Sequence, residues 1–396
     1  MGLKVGLLND SFPPAIDGVA NAVKAYAEVL HKNGDTPIVI TPKYPHVNDN
    51  YDYKVYRYNS MPTDKLIGYR AGNPFSPISI KDICDENIDI LHVHCPFASA
   101  VVAREIRKLT TGRRIPIVFT YHTKFDIDIE TRVRFTGFQK IAINFILANI
   151  KSMDKIWAVT QGAGESLQNL GYNGDFTVMP NGTDFKRGKA SAEEIAAIEK
   201  EYNIESGVPL LIFVGRMFWY KNVGLSIEAL KMLADDGINF RMILAGEGDD
   251  RHAMEEFVNE IGLSDRITFV GAIYNREKLR ALYSRADLFM FPSTYDTSGL
   301  VVKEAAACDC PSVIVAGSCA GEGITDRVSG YLCDETPESI YRTVKEAVSD
   351  MDKLSQIGRN AGEMVYYSWD DAVMDARAEY EKIIAESSST KKHFFK

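Results

Sequence analysis

Long apolar runs are missing from this chain of 396 residues. None approaches the roughly 20 residues that a bilayer-spanning helix needs, so a soluble protein is expected. Cysteine is sparse, at positions 84, 95, 308, 310, 319 and 333, which argues against a disulfide framework and for reduced thiols. Cys308-Asp309-Cys310 has a one-residue gap where a metal knuckle usually has two, so no metal site is expected. Two phosphate-binding fingerprints are absent as well: neither G-x-G-x-x-G nor G-x-x-x-x-G-K-[ST] occurs. The first residues, Met1-Gly2-Leu3-Lys4, enter an apolar strand pattern at once and leave no room for a secretory signal. A cytoplasmic protein is the expectation.

What is present is an alternation. Short β-rich runs at 3–10, 36–42, 89–94, 115–122, 154–160 and 175–182 are separated by helical patterns such as 18–34. A polar segment from about 183 to 209 interrupts the rhythm. The alternation then restarts with strands at 209–215, 240–246, 266–272, 287–293 and 311–317. Strands buried on both faces and separated by helices predict parallel, doubly wound sheets, and the length predicts two domains. Their expected extents are 1–200 and 201–369, with the tail after 387 reading as a frayed end. Ligand loops are then expected at the carboxyl ends of both strand sets, on either side of a cleft.

Charge is uneven. The net −9 lies wholly in the second half, since residues 1–205 carry 24 basic and 24 acidic side chains. Within that neutral half, residues 103–155 hold 11 Lys and Arg against 5 Asp and Glu. Such a local field suits an anionic surface or a phosphorylated substrate; an ordinary solvated face is the alternative.

Three loops after strands carry the chemistry. Asp17-Gly18 opens the first helix, where backbone amides can meet an anion or simply be capped by Asp17. Arg216 and Lys221 follow the strand 209–215, a guanidinium and an ammonium able to clamp a diphosphate, or else a solvated pair. The stretch PSTYDTSGLVVKEAAA, 292–307, sets Asp296 before a helix start near Ser298 to Leu300 and Glu304 within the helix. At about 1.5 Å of rise per residue, Glu304 sits roughly 7 Å beyond Gly299 and can serve another part of a ligand than Asp296. His122, in VFTYHTKFD, ends a first-half strand; His92 and His94 share a strand face.

Taken together these residues resemble the retaining, nucleotide-sugar-dependent glycosyltransferases of family 4, which have the GT-B architecture of two Rossmann-like domains. The resemblance rests on the Asp17-Gly18 loop, on Gly215-Arg216 with Lys221, on FVGAI...LRALYSRADLFMFPS and on the acid-x7-acid element from Asp296 to Glu304. It implies that the closing helix, 370–390, crosses back to the first domain. It further implies that Arg216 and Lys221 hold the donor diphosphate, assisted by amides of Gly18, Gly299 and Leu300. Glu304 would accept from the ribose hydroxyls, Asp296 from hydroxyls of the donor sugar, and Val270 to Ile273 would line the base. Ser298 stands where an aromatic is common, and Asp296 where Glu is. The Asp-Thr-Ser-Gly-Leu-Val form resembles members that glycosylate diacylglycerol. His122 would lie beside the reacting sugar, with His94 on the acceptor side. The family needs no divalent ion, so no metal or cofactor is implied.

The expected reaction is transfer of a hexose, glucose or galactose, from a UDP-sugar to a membrane lipid such as diacylglycerol. A surface-polysaccharide transferase and a non-catalytic sugar-nucleotide-binding protein are the alternatives; a phosphorylase or epimerase would need a pyridoxal lysine or an anion pocket. Segment 130–155 interleaves Phe135, Phe138, Ile141, Ile143, Phe145, Ile146 and Leu147 with Arg132, Arg134, Lys140 and Lys151. It reads as a helix for an anionic membrane surface through 130–151, or as a core helix with a charged start. Expected partners are a nucleotide sugar and a lipid or glycan acceptor, with no nucleic acid; the expected place is the cytoplasm, peripheral to the inner face of the membrane.

Overall fold

A computed structural model describes residues 2–15, 17–63, 70–74, 77–125 and 136–393. The chain divides into two units: one of 1–181 with 369–396, the other of 182–368.

The first unit is built on a seven-stranded parallel sheet in the order Lys54–Tyr58, Thr36–Pro42, Lys4–Leu8, Ile90–Val93, Ile117–Tyr121, Lys155–Ala158, Thr177–Val178. Its central strands are buried except for half-buried Lys4, as near-continuous runs of Val, Ile and Leu require when helices cover both faces. The order reverses between Lys4–Leu8 and Ile90–Val93, so the loops after them, carrying Asp10 and His94, bound a crevice where an open α/β sheet takes ligands. The edge strand Lys54–Tyr58 is an addition to the sequence reading.

The second unit repeats the plan with six parallel strands, ordered Ile267–Gly271, Arg241–Ala245, Leu210–Val214, Leu288–Phe291, Ser312–Val315, Tyr331–Cys333. Its reversal falls between Leu210–Val214 and Leu288–Phe291, which places Arg216 and Asp296 at the two lips of that unit's switch point. One glycine makes the close approach possible: a Cβ on Gly246 would lie 1.8 Å from the Gly215 carbonyl oxygen, and Gly246 has φ 151°.

The division between units falls at 181/182 rather than at 200/201. The polar segment is the reason: it contains the helix Ala192–Glu201, started by a capping box of Ser191 and Glu194, and this helix packs against Arg276–Arg285 of the second unit. Thr183 also pairs with Ser368 in a parallel bridge, and its amide donates to the Tyr367 carbonyl at 2.9 Å. Both ends of the second unit therefore lie side by side.

The final helix, Trp369–His393, belongs to the first unit and packs on Gly18–Lys32. It runs through most of the tail that composition alone reads as frayed. Arg377 binds the fully buried carboxylate of Asp35 at 2.6 Å, and Tyr380 stacks on Trp157 with ring centres 5.4 Å apart. A buried aromatic pair of this kind contributes about 0.5–1.5 kcal/mol beyond its area, so the helix is anchored in the core and not only at its surface.

Candidate functional site

In the second unit, Leu210–Val214 runs out at Gly215, whose amide donates to Ala245 O at 3.0 Å. Arg216 follows, exposed, its guanidinium 5.5 Å from the Phe218 ring centre. Among the described residues it pairs with no carboxylate. A single turn, Trp219–Lys221, ends at Asn222, which adopts φ 60° and donates its side-chain amide to Pro292 O at 3.1 Å. That bond ties the Lys221 turn to the loop bearing Asp296. Rings reinforce the tie: Phe218 stacks on Tyr220 at 5.1 Å, and Tyr220 meets Tyr295 at 4.7 Å.

Lys221 is buried, and its ammonium is held by both oxygens of Asp296, at 2.8 and 2.9 Å. Ser293 donates to Asp296 Oδ2 at 2.6 Å, and the Phe291 ring lies 5.7 Å from Lys221 Nζ. A buried charge needs such company, because an unpaired ammonium loses its hydration without replacement. Asp296 and Lys221, assigned to sugar and diphosphate separately by resemblance, thus form one unit of charge.

The helix after the loop begins at Leu300 and runs to Ala307. Gly299 caps it at φ 55°, where a Cβ would sit 2.7 Å from Ala320 Cβ. The left-handed cap turns Ser298 inward, and its Oγ is buried with no hydrogen-bond partner. A buried hydroxyl of this sort costs free energy until something polar meets it. Val270 and Ile273, at the end of Ile267–Gly271, are half-buried against the unit's core.

Glu304, within that helix, is buried and is met by residues that sequence reasoning did not find. Arg276 Nη2 lies 2.7 Å from Glu304 Oε1, and the Tyr283 hydroxyl donates to Oε2 at 3.4 Å. Arg276 also binds Asp184 and lies over Phe185. No spacing in the chain joins 184, 276 and 304. Burial raises the Glu304 carboxyl above the ordinary range, and Arg276 opposes that rise. Lys303, its neighbour, is brought down to about 8 by burial.

In the first unit, Asp17 accepts from Val19 N at 2.9 Å and Ala20 N at 2.7 Å, so the helix start is already capped. An anion at this turn would bond the amide of Gly18 itself. His122 Nε2 and His94 Nδ1 are 3.0 Å apart, and His94 Nε2 is buried without a partner. Burial holds both rings neutral, with His122 near 3. His92 lies against His94, ring centres 3.9 Å apart and planes tilted by 40°, but is spent on packing: its Nδ1 shares a hydrogen bond with Tyr380 at 2.6 Å and its Nε2 with Thr120 at 2.7 Å. Deeper at the same sheet end, Asp10 accepts from Ser99 N at 2.8 Å, from Ser99 Oγ at 2.7 Å and from Tyr58 at 3.2 Å.

The helix of segment 130–155 is Thr136–Lys151, and residues 126–135, with Arg132, Arg134 and Phe135, lie outside the described residues, as does the side chain of Phe138. Ile146, Leu147 and Ile150 enter the core, Ile143 is half-buried, and Ile141 and Phe145 are exposed at 65% and 47%. Lys140 and Lys151 are exposed too. Among the described residues no helix is long and apolar enough to cross a membrane, and no group of three or more His, Cys, Asp or Glu is placed to hold a metal.

Each unit has its own family match. Residues 16–187 match the family described as Glycosyltransferase Family 4, and residues 194–364 the one described as Glycosyl transferases group 1. The alpha-monoglucosyldiacylglycerol synthase of Streptococcus pneumoniae is 21% identical over 415 aligned positions, spanning 100% of this chain and 91% of that one. Its namesake from Acholeplasma laidlawii is 24% identical, with 86% and 87% spanned. Sucrose-phosphate synthase from Thermosynechococcus elongatus shares the fold, at TM-score 0.76 and 20% identity over 97% of this chain and 100% of that one. With a family 4 match on one unit, a group 1 match on the other and a GT-B fold throughout, the chain is a glycosyltransferase of family 4, similar to the diacylglycerol glucosyltransferases.

Proposed function

We propose that this glycosyltransferase moves a hexose, glucose or galactose, from a UDP-sugar to a membrane lipid such as diacylglycerol, with retention of anomeric configuration and without a metal ion. The observation that carries the donor half of this reading is the buried Lys221–Asp296 pair beside the unpartnered Ser298 hydroxyl, at the switch point of the second unit. Arg216 and Lys221 take the diphosphate, and Asp296 and Ser298 take hydroxyls of the sugar. Glu304 takes the ribose, and Val270 to Ile273 flank the base. Amides of Gly18, Gly299 and Leu300 assist.

The chemistry follows from where charge develops. The bond from the anomeric carbon to the phosphate oxygen breaks, and that oxygen gains a negative charge that fixed cations stabilise without reorganising. The acceptor oxygen bonds to the same face of the anomeric carbon, and its proton passes to the departing phosphate. His122 and His94, neutral because of burial, offer hydrogen bonds to sugar and acceptor hydroxyls in place of a proton exchange.

The lipid acceptor is supported by likeness to the two alpha-monoglucosyldiacylglycerol synthases and by the exposed pair Ile141 and Phe145 between Lys140 and Lys151. That face suits an anionic inner leaflet, with the protein peripheral to it. The test is transfer from a panel of UDP-, GDP- and ADP-hexoses to diacylglycerol in anionic vesicles, followed by determination of the product's anomeric configuration. Transfer of glucose or galactose from UDP with retention, undiminished by a chelator, is expected. Transfer only to soluble glycans would move the enzyme to polysaccharide synthesis, and binding without turnover would make it a sugar-nucleotide-binding protein.

A further inference from the structure

Arg276 opens the helix Arg276–Arg285, just after Asn275, whose side chain caps the helix by accepting from Lys278 N at 3.0 Å. Its guanidinium is held in three ways. Nε donates to Asp184 Oδ2 at 3.0 Å, Nη2 is shared between Asp184 Oδ1 and Glu304 Oε1, and the group lies 4.2 Å from the Phe185 ring centre. A planar fork fixed by a carboxylate on one side and a ring beneath it has little rotamer freedom left to lose. Its remaining contact is Glu304, on a different element.

We propose that Arg276 is a positioning residue for the nucleotide: anchored by Asp184 and Phe185, it keeps the Glu304 carboxylate ionised and aimed, so that ribose hydroxyls find a charged acceptor. The proposal rests on the reading of Glu304 as the ribose acceptor. Besides Arg276, Glu304 is faced by Tyr283, whose hydroxyl donates to Oε2 and favours the charged form less than Arg276 does, by Cys308, kept protonated by burial, and by Asp184, whose charge works against ionisation. Burial lifts the Glu304 carboxyl, and Arg276 provides the counterweight.

Removing that counterweight has a definite sign. The Glu304 carboxyl then climbs further, stays protonated to higher pH, and binding that needs the carboxylate is lost earlier as pH falls. Exchanging a charged acceptor for a neutral one weakens binding about tenfold.

Binding of UDP, GDP and ADP to the full chain is measured by calorimetry from about pH 5.5 to about 8.5, for the wild type, Arg276→Gln, Arg276→Lys and Glu304→Gln. For whichever nucleotide binds, Arg276→Gln is expected to shift the midpoint of the pH profile upward and to lose about tenfold more affinity at the acid end than at the alkaline end. Arg276→Lys, which keeps the charge, is expected to hold the wild-type midpoint. An Arg276→Gln profile merely lowered evenly, or unchanged, overturns the proposal while a weakened Glu304→Gln keeps Glu304 at the ribose. Wild-type affinity in Glu304→Gln overturns the reading of Glu304 itself.

Discussion

Lys221 and Asp296 hold each other through both carboxylate oxygens, at 2.8 and 2.9 Å, with the lysine side chain only 6% exposed. Seventy-five residues separate them in sequence, and the join is made by two loops at the switch point. A diphosphate that reaches this ammonium meets a cation already partly neutralised. Lys221→Ala removes the stabilised charge and leaves Asp296 to repel phosphate. Turnover is expected to fall about 100-fold, well beyond the loss in donor affinity; equal losses would reduce Lys221 to a binding contact. Asp296→Asn frees the cation, so free nucleoside diphosphate should bind several-fold more tightly while sugar transfer falls.

Acid should destabilise the first unit through its histidines. Burial holds His122 near 3 and sends His92 and His94 well below their ordinary value, whereas an unfolded histidine titrates near about 6.5. Between those values the unfolded chain binds the proton that the folded chain refuses. Stability therefore falls as pH drops below about 6.5, by up to about 1.4 kcal/mol per pH unit for each such group. Thermal unfolding of the wild type and His122→Asn, compared between about pH 7 and about pH 5, should show a slope flatter by about a third in the variant. Parallel slopes would mean that His122 titrates as an exposed histidine does.

Tyr380 pins the closing helix to the core of the first unit. Its hydroxyl shares a 2.6 Å hydrogen bond with fully buried His92. Tyr380→Phe keeps the stack on Trp157 but leaves one ring nitrogen of His92 without a partner, at a cost of about 1–3 kcal/mol. Urea unfolding monitored by tryptophan fluorescence reads the loss; a midpoint equal to the wild type's would show that the pocket repairs itself.

Ile141 and Phe145 stand one helical turn apart, both exposed. Replacing both with Ser removes apolar surface and no core contact. Co-sedimentation with anionic vesicles should drop several-fold, and transfer to diacylglycerol with it, while slow hydrolysis of the donor in the absence of acceptor stays unchanged. Loss of both activities together would place these residues in folding instead.

Much of this architecture is legible in the chain, because strands buried on both faces read as plain apolar runs. Eleven strands of its two parallel sheets and the loops bearing Arg216, Lys221, Asp296 and Glu304 follow from that pattern alone. The strands Lys54–Tyr58 and Tyr331–Cys333 escaped it, the first half-exposed at an edge and the second three residues long. Helix Ala192–Glu201 was hidden by its polarity, with only Ile198 fully buried. At the site, charged residues were visible as types but not as partners. Arg276 has the look of an ordinary first-turn residue until tertiary packing sets Asp184 and Glu304 on either side of it.

The bridge between Thr183 and Ser368 brings the entry and exit of the second unit together. Topologically that unit is an insertion whose ends meet, spliced into a host that resumes at Trp369 as though uninterrupted. Such an arrangement makes 182–368 exchangeable: a donor module from a related transferase could be grafted between the same two residues. Under the proposed function, the chimaera is expected to take its nucleotide and sugar from the graft and its acceptor from the host.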